Sequence, residues 1–366
     1  MSTRDMDWSR RGVLGALAAT ALPAPLSAAE RSPGPSPIAA LPLDGAPGLA
    51  AGVVRRGRTV AIGGKGIADT DHGTSVDGDT IFEIGSLTKT FTASLIFQLQ
   101  EEGLLRIDAP VGDYVRDLPI AWRGLLLSRL LSHTAGLPEY LDADNFRALM
   151  PRDLAPADIV ALVADRPMPF AAGTQHQYNN TGFILLGMVA EAVTGRRYWD
   201  ELYRRFFVPS GMRSTGPRGR QRPERLATGH FWDGSRYEAP PYSAPGSTWS
   251  AGGLLSTAAD LNRWSIALDQ GKILSADARR RMWTPARLLN GEPAGWGYGW
   301  EVETIDGRII VAHGGGTAGF SCWYRRDTTA LVSTIVLTNQ NGRADPKTMT
   351  DTLLAAIKPE PMPVRP

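Results

Sequence analysis

Cysteine is almost absent from these 366 residues. Cys322 stands alone, which excludes an intrachain disulfide and any cysteine-built metal site, and it reads as a small buried apolar residue. Histidine is scarce. The five, at 72, 133, 176, 230 and 313, show no ligand spacing, so neither a metal nor a cofactor is implied. No basic block is longer than Arg279-Arg280-Arg281 and the net charge is +2, which argues against a nucleic-acid partner. The apolar run Gly12 to Leu22 falls far short of the ~20 residues that span a bilayer, so no stable membrane span is expected. No G-x-S-x-G is present, so the common α/β-hydrolase nucleophile is missing.

What is present begins with a targeting segment. Ser9-Arg10-Arg11-Gly12-Val13-Leu14 resembles a twin-arginine export signal, with Val where that motif prefers Phe. Ser27-Ala28-Ala29 fits a small-x-small cleavage site. The expected division is a signal peptide over 1–29, a Pro/Ser/Ala-rich linker over 30–42, one domain over 43–357 and a tail over 358–366. The protein is therefore expected to be exported, periplasmic or secreted.

Strand-like runs at Leu49-Val54 and Thr59-Ile62 open the domain. A helical region with irregular loops follows to about residue 270. Further strands are expected at Gly299-Ile305, Arg308-Ala312, Phe320-Arg325 and Ala330-Thr338, with a last helix over Lys347 to Ile357. Strands at both ends and helices between predict an α/β sandwich, an antiparallel sheet flanked by helices with an inserted, mostly helical region. The two termini would meet in one sheet.

Lysine is rare, at 65, 89, 272, 347 and 358, whereas Lys plus Arg totals 39. Lys89 is thus not background charge. It follows Ser86 by three residues, after the strand-like run Thr80 to Ile84, at the start of a helix that is apolar nearly all round and stops at Gly103. Residues i and i+3 share a helix face, so the amine can reach the hydroxyl. A serine needs a base to become a nucleophile, and burial can lower a lysine pKa enough to supply one.

Two more elements carry chemistry. Tyr178-Asn179-Asn180 precedes a helix that Asn180 and Thr181 can cap. A phenol there can relay a proton and an amide can dock a carbonyl; a plain turn with a cap is the alternative. His313-Gly314-Gly315-Gly316 ends one strand and begins another. Its glycines can admit a substrate backbone and leave N–H groups free for an oxyanion, or form a flexible turn. Gly314 to Gly319 also spells G-x-G-x-x-G, but strand-like Phe320-Ser321-Cys322-Trp323-Tyr324 follows where a dinucleotide site needs a helix.

Ser-x-x-Lys, Tyr-x-Asn and a basic residue before glycines, in that order, resemble the penicillin-recognising serine hydrolases, closest to the class C β-lactamase-like branch with its D-alanyl-D-alanine carboxypeptidases, D-aminopeptidases and esterases. Leu130 to Pro138 (LLSHTAGLP) and the stretches Trp249 to Leu254 and Thr257 to Leu261 resemble further segments of that branch, and the likeness runs from about Gly48 to Ile357. The resemblance implies that Ser86 is acylated and that Lys89 and Tyr178 share its proton and pass it to the leaving group. Asn180 would hold a substrate amide or the Lys89 amine. The N–H groups of Ser86 and Gly316 would form the oxyanion hole, with His313, Gly315 and Gly316 on the substrate side. His133 would be structural.

One departure narrows the expectation. Typical β-lactamases carry Lys-Thr-Gly or Lys-Ser-Gly where this chain has His313-Gly314-Gly315. A histidine of ordinary pKa is mostly neutral at pH 7, so the usual cation for a β-lactam carboxylate is weakened. The expected activity is hydrolysis of an ester or a D-residue-containing amide, on a small-molecule or peptide substrate. A true class C-type β-lactamase and an acylated sensor without turnover are the alternatives. Trp296, Tyr298, Trp300 and Trp323 are either an acyl pocket or core.

Overall fold

Alternate residues of a strand face opposite sides of its sheet, and β1 (Gly48–Arg55) is buried along nearly its whole length. That pattern demands cover on both faces. In the computed structural model, which describes residues 36–357, Ala50 points into the main core while Leu49, Ala51 and Val53 point into a second, smaller one.

The sheet has seven strands. With β2 (Arg58–Asp69), β3 (Thr74–Ser75), β4 (Glu301–Ile305), β5 (Arg308–Thr317), β6 (Phe320–Asp327) and β7 (Val332–Thr338), its order is β3-β2-β1-β7-β6-β5-β4. The pairs are antiparallel, and β1 meets β7 with Leu49 opposite Thr338, so the two ends of the domain share one sheet as expected. Tight hairpins turn at Arg56-Gly57 and Asp306-Gly307, where all four residues have positive φ.

Helices cover both faces. The smaller core is closed by α5 (Pro346–Ala356) through Met349 and Leu353. The main core holds α1 (Thr88–Glu101), α2 (Thr181–Thr194), α3 (Pro245–Gly252) and α4 (Ala258–Asp269). Phe91, Leu95, Phe97 and Leu99 of α1 are fully buried, each side chain contributing about 1.5–3 kcal/mol. Thr257 caps α4 by accepting from the Asp260 N–H at 3.0 Å.

Several boundaries differ from expectation. Ser86 is not in α1 but in a single 3-10 turn, Gly85–Leu87, ahead of it. The strand expected over Thr80 to Ile84 shrinks to Phe82–Glu83, which pairs with Leu254–Ser256. The sequence pattern shows hydrophobicity but not the short partner that limits the pairing. His313 to Gly316 lie inside β5 rather than between two strands, because β6 continues to pair with them. Of the expected linker over 30–42, residues 36–42 are described, and they pack: Ile38 and Leu41 are buried in the smaller core, and Lys65 Nζ donates to the Leu41 carbonyl at 2.6 Å. The expected signal peptide over 1–29 and the tail over 358–366 lie outside the described residues.

Candidate active site

Two pieces of backbone make the site by coming unusually close. A Cβ on Gly315 of β5 would lie 1.9 Å from the Ile84 carbonyl oxygen, and one on Gly85 would lie 2.9 Å from the Gly316 nitrogen. Only glycine lets the Ser86 turn press against the strand this tightly, and Gly85 also needs its positive φ of 46°. Strand β4 pairs with β5 only as far as Ala312. The β5 edge from His313 to Thr317 is therefore left open beside Ser86. A Cβ on Gly316 would meet nothing nearer than Asn341 Nδ2 at 4.0 Å, so open space lies in front of it. Gly315 is thus a packing glycine, and Gly316 is the one that faces open space.

Ser86 also sits at the N-terminal end of α1, where the helix dipole favours developing negative charge. Lys89, in the first turn of α1, has no solvent exposure. Its Nζ lies 3.0 Å from Ser86 Oγ, 2.6 Å from Asn180 Oδ1 and 2.7 Å from the Ala251 carbonyl oxygen. Burial pulls the amine down to about 7, opposed by the carboxylate of Glu139.

The Ala251 carbonyl reaches Lys89 because α3 is bent. Trp249, inside it, has φ 32° and ψ −121°, a costly conformation for a residue with a side chain. The kink turns the Ser250 and Ala251 carbonyls toward α1, where Thr92 Oγ1 donates to the first at 2.7 Å and Lys89 to the second.

Asn180 does not cap α2 with its side chain, contrary to expectation. Its amide oxygen is taken by Lys89. Asn179 caps instead, accepting from the Gly182 N–H at 2.8 Å while its own amide donates to the Leu137 carbonyl at 2.9 Å. The middle residue of Tyr-x-Asn is thus the one that anchors the turn.

Tyr178 is half-buried, and its hydroxyl is buried with no hydrogen-bond partner among the described residues. Burial pushes the phenol well above its ordinary value, so it stays protonated. His133 stacks on the Tyr178 ring, 4.4 Å between centroids, and accepts from the Asn179 N–H at 3.1 Å through Nδ1. Its backbone is left-handed, with φ 57°. His133 shapes the Tyr178 turn, as the structural expectation had it.

His313 is held neutral more firmly than an ordinary histidine. It is buried, its Nδ1–H donates to the Gly314 carbonyl at 2.6 Å, and burial with the nearby Lys89 charge lowers its pKa to about 3. It is a neutral ring and not a cation for a carboxylate. Trp296 packs edge-on against it at 5.4 Å and also against Tyr178 and His133. Of the four aromatics singled out from the sequence, Trp296 borders the site. Trp300 is fully buried core, and Tyr298 packs on Phe97. Cys322 is buried with its thiol directed at the Ile84 carbonyl, 3.4 Å away.

Glu139 is the residue that sequence reasoning missed. It accepts from the Asn180 N–H at 2.6 Å and from the Leu141 N–H at 3.1 Å, and burial raises its pKa. A signal was there: Glu139 is the sole carboxylate between Asp117 and Asp142 and it directly follows Leu130 to Pro138. Among the described residues no three His, Cys, Asp or Glu side chains group as metal ligands, and no helix is long and apolar enough to cross a membrane.

The chain is similar to known proteins in sequence and in fold. The chain is 31% identical over 296 residues to Penicillin-binding protein 4 of Amycolatopsis lactamdurans, covering 75% of this chain and 76% of that one. It is 29% identical over 300 residues to a penicillin-binding protein of Bacillus subtilis (strain 168), covering 75% of this chain but only 64% of the relative's length. Among solved structures, a D-stereospecific amidohydrolase from Streptomyces superposes with a TM-score of 0.74 at 26% identity, over 86% of this chain and 96% of that one. The family model described as Beta-lactamase matches residues 39–357, and the chain belongs to that family.

Proposed function

We propose that this protein is a serine hydrolase that cleaves an ester, or an amide containing a D-residue, through an acyl-enzyme on Ser86. The valence of Lys89 carries the reading. Its two carbonyl-type partners, Asn180 Oδ1 and the Ala251 oxygen, can only accept. A neutral amine has two hydrogens, and these two partners use both. The remaining lone pair then faces Ser86 Oγ at 3.0 Å. An amine lowered to about 7 supplies that neutral form at neutral pH.

The steps follow from the positions. Ser86 gives its proton to Lys89 as Oγ attacks the carbonyl carbon. The oxyanion forms between the N–H groups of Ser86 and Gly316, a donor pair of a kind worth about 2.7–4 kcal/mol per member in the transition state. Tyr178, held protonated, passes a proton to the leaving group and recovers one from Lys89. Water then attacks the ester on Ser86, giving its proton back along the same groups, and the acid leaves. A neutral His313 offers no charge to a β-lactam carboxylate, which favours other substrates. The Streptomyces neighbour, a D-stereospecific amidohydrolase, supports the D-amide branch.

The test is an assay of the chain on a nitrophenyl ester, a D-amino-acid anilide, a D-alanyl-D-alanine peptide and a chromogenic cephalosporin, with Ser86→Ala beside it. Turnover of the ester or a D-substrate, an acyl adduct on Ser86 and its loss in the variant are expected. Full activity in Ser86→Ala ends the proposal. Export is also proposed, from Ser9-Arg10-Arg11-Gly12-Val13-Leu14; retention of an Arg10→Lys, Arg11→Lys double variant in the cytoplasm is the expected result.

A further inference from the structure

The face of the sheet turned away from Ser86 has a cavity of its own. Residues directly opposite one another in a sheet lie side by side on one face. Ile310 of β5 stands opposite Asp327 of β6, Asp327 opposite Val332 of β7, and Val332 opposite Arg55 of β1. Arg55 is two residues from Val53, which points into the smaller core, so this row lies on the face that α5 covers. Ile84 and Leu87, which flank Ser86, belong to the main core on the other face. At the C-terminal end of α5 a cavity of about 510 Å³ lies between the helix and the row. That volume is in the range of small-molecule sites.

Its wall is of two kinds. Ile310, Val332, Leu354 and Ile357 make it apolar. With them stand four arginines, Arg55, Arg56, Arg308 and Arg325, against two aspartates, Asp327 and Asp351. Asp327 is already satisfied. It is fully buried and accepts from the Thr329 N–H at 2.9 Å, the Ala330 N–H at 2.8 Å and Arg308 Nη1 at 2.8 Å.

Arg325 is not satisfied. The residue is only 7% exposed, and its Nε–H is buried with no hydrogen-bond partner among the described residues. Its ion pairs lie at the other two nitrogens: Nη1 with Asp351 at 3.1 Å and Nη2 with Glu303 at 3.7 Å. Both carboxylates are half-exposed, and Asp351 Oδ1 itself accepts no hydrogen bond. A buried donor left unmade is costly. What satisfies it is an acceptor, and the excess of guanidinium over carboxylate in the wall selects a negative one. A carboxylate fits, because its two oxygens accept side by side from the N–H groups of one guanidinium. The apolar side chains select hydrocarbon for the rest of the ligand.

We propose that this cavity binds an amphiphile, an alkyl chain bearing one carboxylate, with the carboxylate on the Arg325 Nε–H and the chain against Ile310, Val332 and Leu354. The site is separate from Ser86 and does not rest on the hydrolase reading. Calorimetric titration of the full chain with octanoate, butyrate, octanol and octylammonium tests it. Octanoate should bind saturably, equally well in Ser86→Ala, and the other three should each bind at least about tenfold more weakly. Arg325→Met keeps an apolar stem and removes the donor. It should weaken octanoate by about tenfold or more and leave octanol unchanged. Ala355 lines the cavity and is exposed, so Ala355→Trp should melt as the unmodified protein does, fill the space and weaken octanoate and octanol alike. Should Arg325→Met fail to fold, Ala355→Trp decides alone. Octanoate bound no more tightly than octanol, or octanoate binding unchanged in Ala355→Trp, overturns the site. Vesicles of an anionic phospholipid form a further arm, and binding to them without binding to free octanoate overturns it too.

Discussion

Asn180 Oδ1 lies 2.6 Å from Lys89 Nζ, so of the uses the sequence offered for this amide, a helix cap, a substrate amide or the Lys89 amine, the structure shows the contact with the amine. That contact binds one hydrogen of the amine and helps aim the lone pair at Ser86. Asn180→Asp keeps the oxygen but adds a negative charge within contact of Lys89, which favours the ammonium form. The variant's acylation should demand a higher pH, its midpoint rising by about one to three units. Rapid-mixing measurements of acylation against pH check this, and an unmoved midpoint removes Asn180 from the control of Lys89.

Glu139 should act in the opposite sense when it is lost. Its carboxylate raises the Lys89 pKa, whereas burial lowers it to about 7. The neutral amine is the working base, so acylation should rise with pH through about 7 and level off above it. Glu139→Gln withdraws the stabilising negative charge, the ammonium form becomes costlier and the midpoint should move to lower pH. Glutamine keeps one oxygen for the two N–H groups of Asn180 and Leu141 that Glu139 now satisfies. A modest loss of stability, about 0.5–1.5 kcal/mol, should accompany the shift. A midpoint that stays put or rises would falsify this assignment.

The contrast between these two residues shows what the sequence carries. Ser86 and Lys89 are three positions apart, so local geometry alone brings them together, even though the turn that does so is 3-10 before it is α. Asn180 meets Lys89 across 91 residues, so the resemblance of Tyr-x-Asn to a family motif, and not local spacing, made Tyr178 and Asn180 legible. Glu139 reaches the site only because the segment after Pro138 folds back onto the start of α2, a contact that no spacing encodes. Burial is equally silent. A histidine before glycines reads as a group that titrates near neutrality, and only packing against Tyr178 and Trp296 makes His313 a neutral ring. That the two ends share one sheet was readable from strands at both ends, but strand order and lengths were set by partners, as when β6 draws His313 to Gly316 into β5.

His313 gives a direct check on that last point. Its pKa near 3 means that it carries no charge from pH 5 to 8. The KM for an acyl substrate bearing a carboxylate on its leaving group should therefore be flat across that window. A KM that worsens as pH rises through 6 to 7 would restore His313 as a cationic anchor.

Gly315 and Gly316 are adjacent and should respond differently to the same substitution. A Cβ at Gly315 would stand 1.9 Å from a backbone oxygen, that of Ile84, and 2.8 Å from the Cys322 sulfur. Backbone cannot rotate away, so Gly315→Ala must push the Ser86 turn off β5. It should cost about 1–3 kcal/mol of stability and separate the two oxyanion donors. Activity should fall by about a hundredfold or more, the weight of one such donor. At Gly316 the added methyl meets open space, so Gly316→Ala should melt as the unmodified protein does and lose activity only through crowding of the substrate. Thermal melts and kcat/KM on one ester, measured for both variants, separate the cases. Equal melting temperatures for the two would show that the close approach of Gly315 to Ile84 does not hold the nucleophile in place.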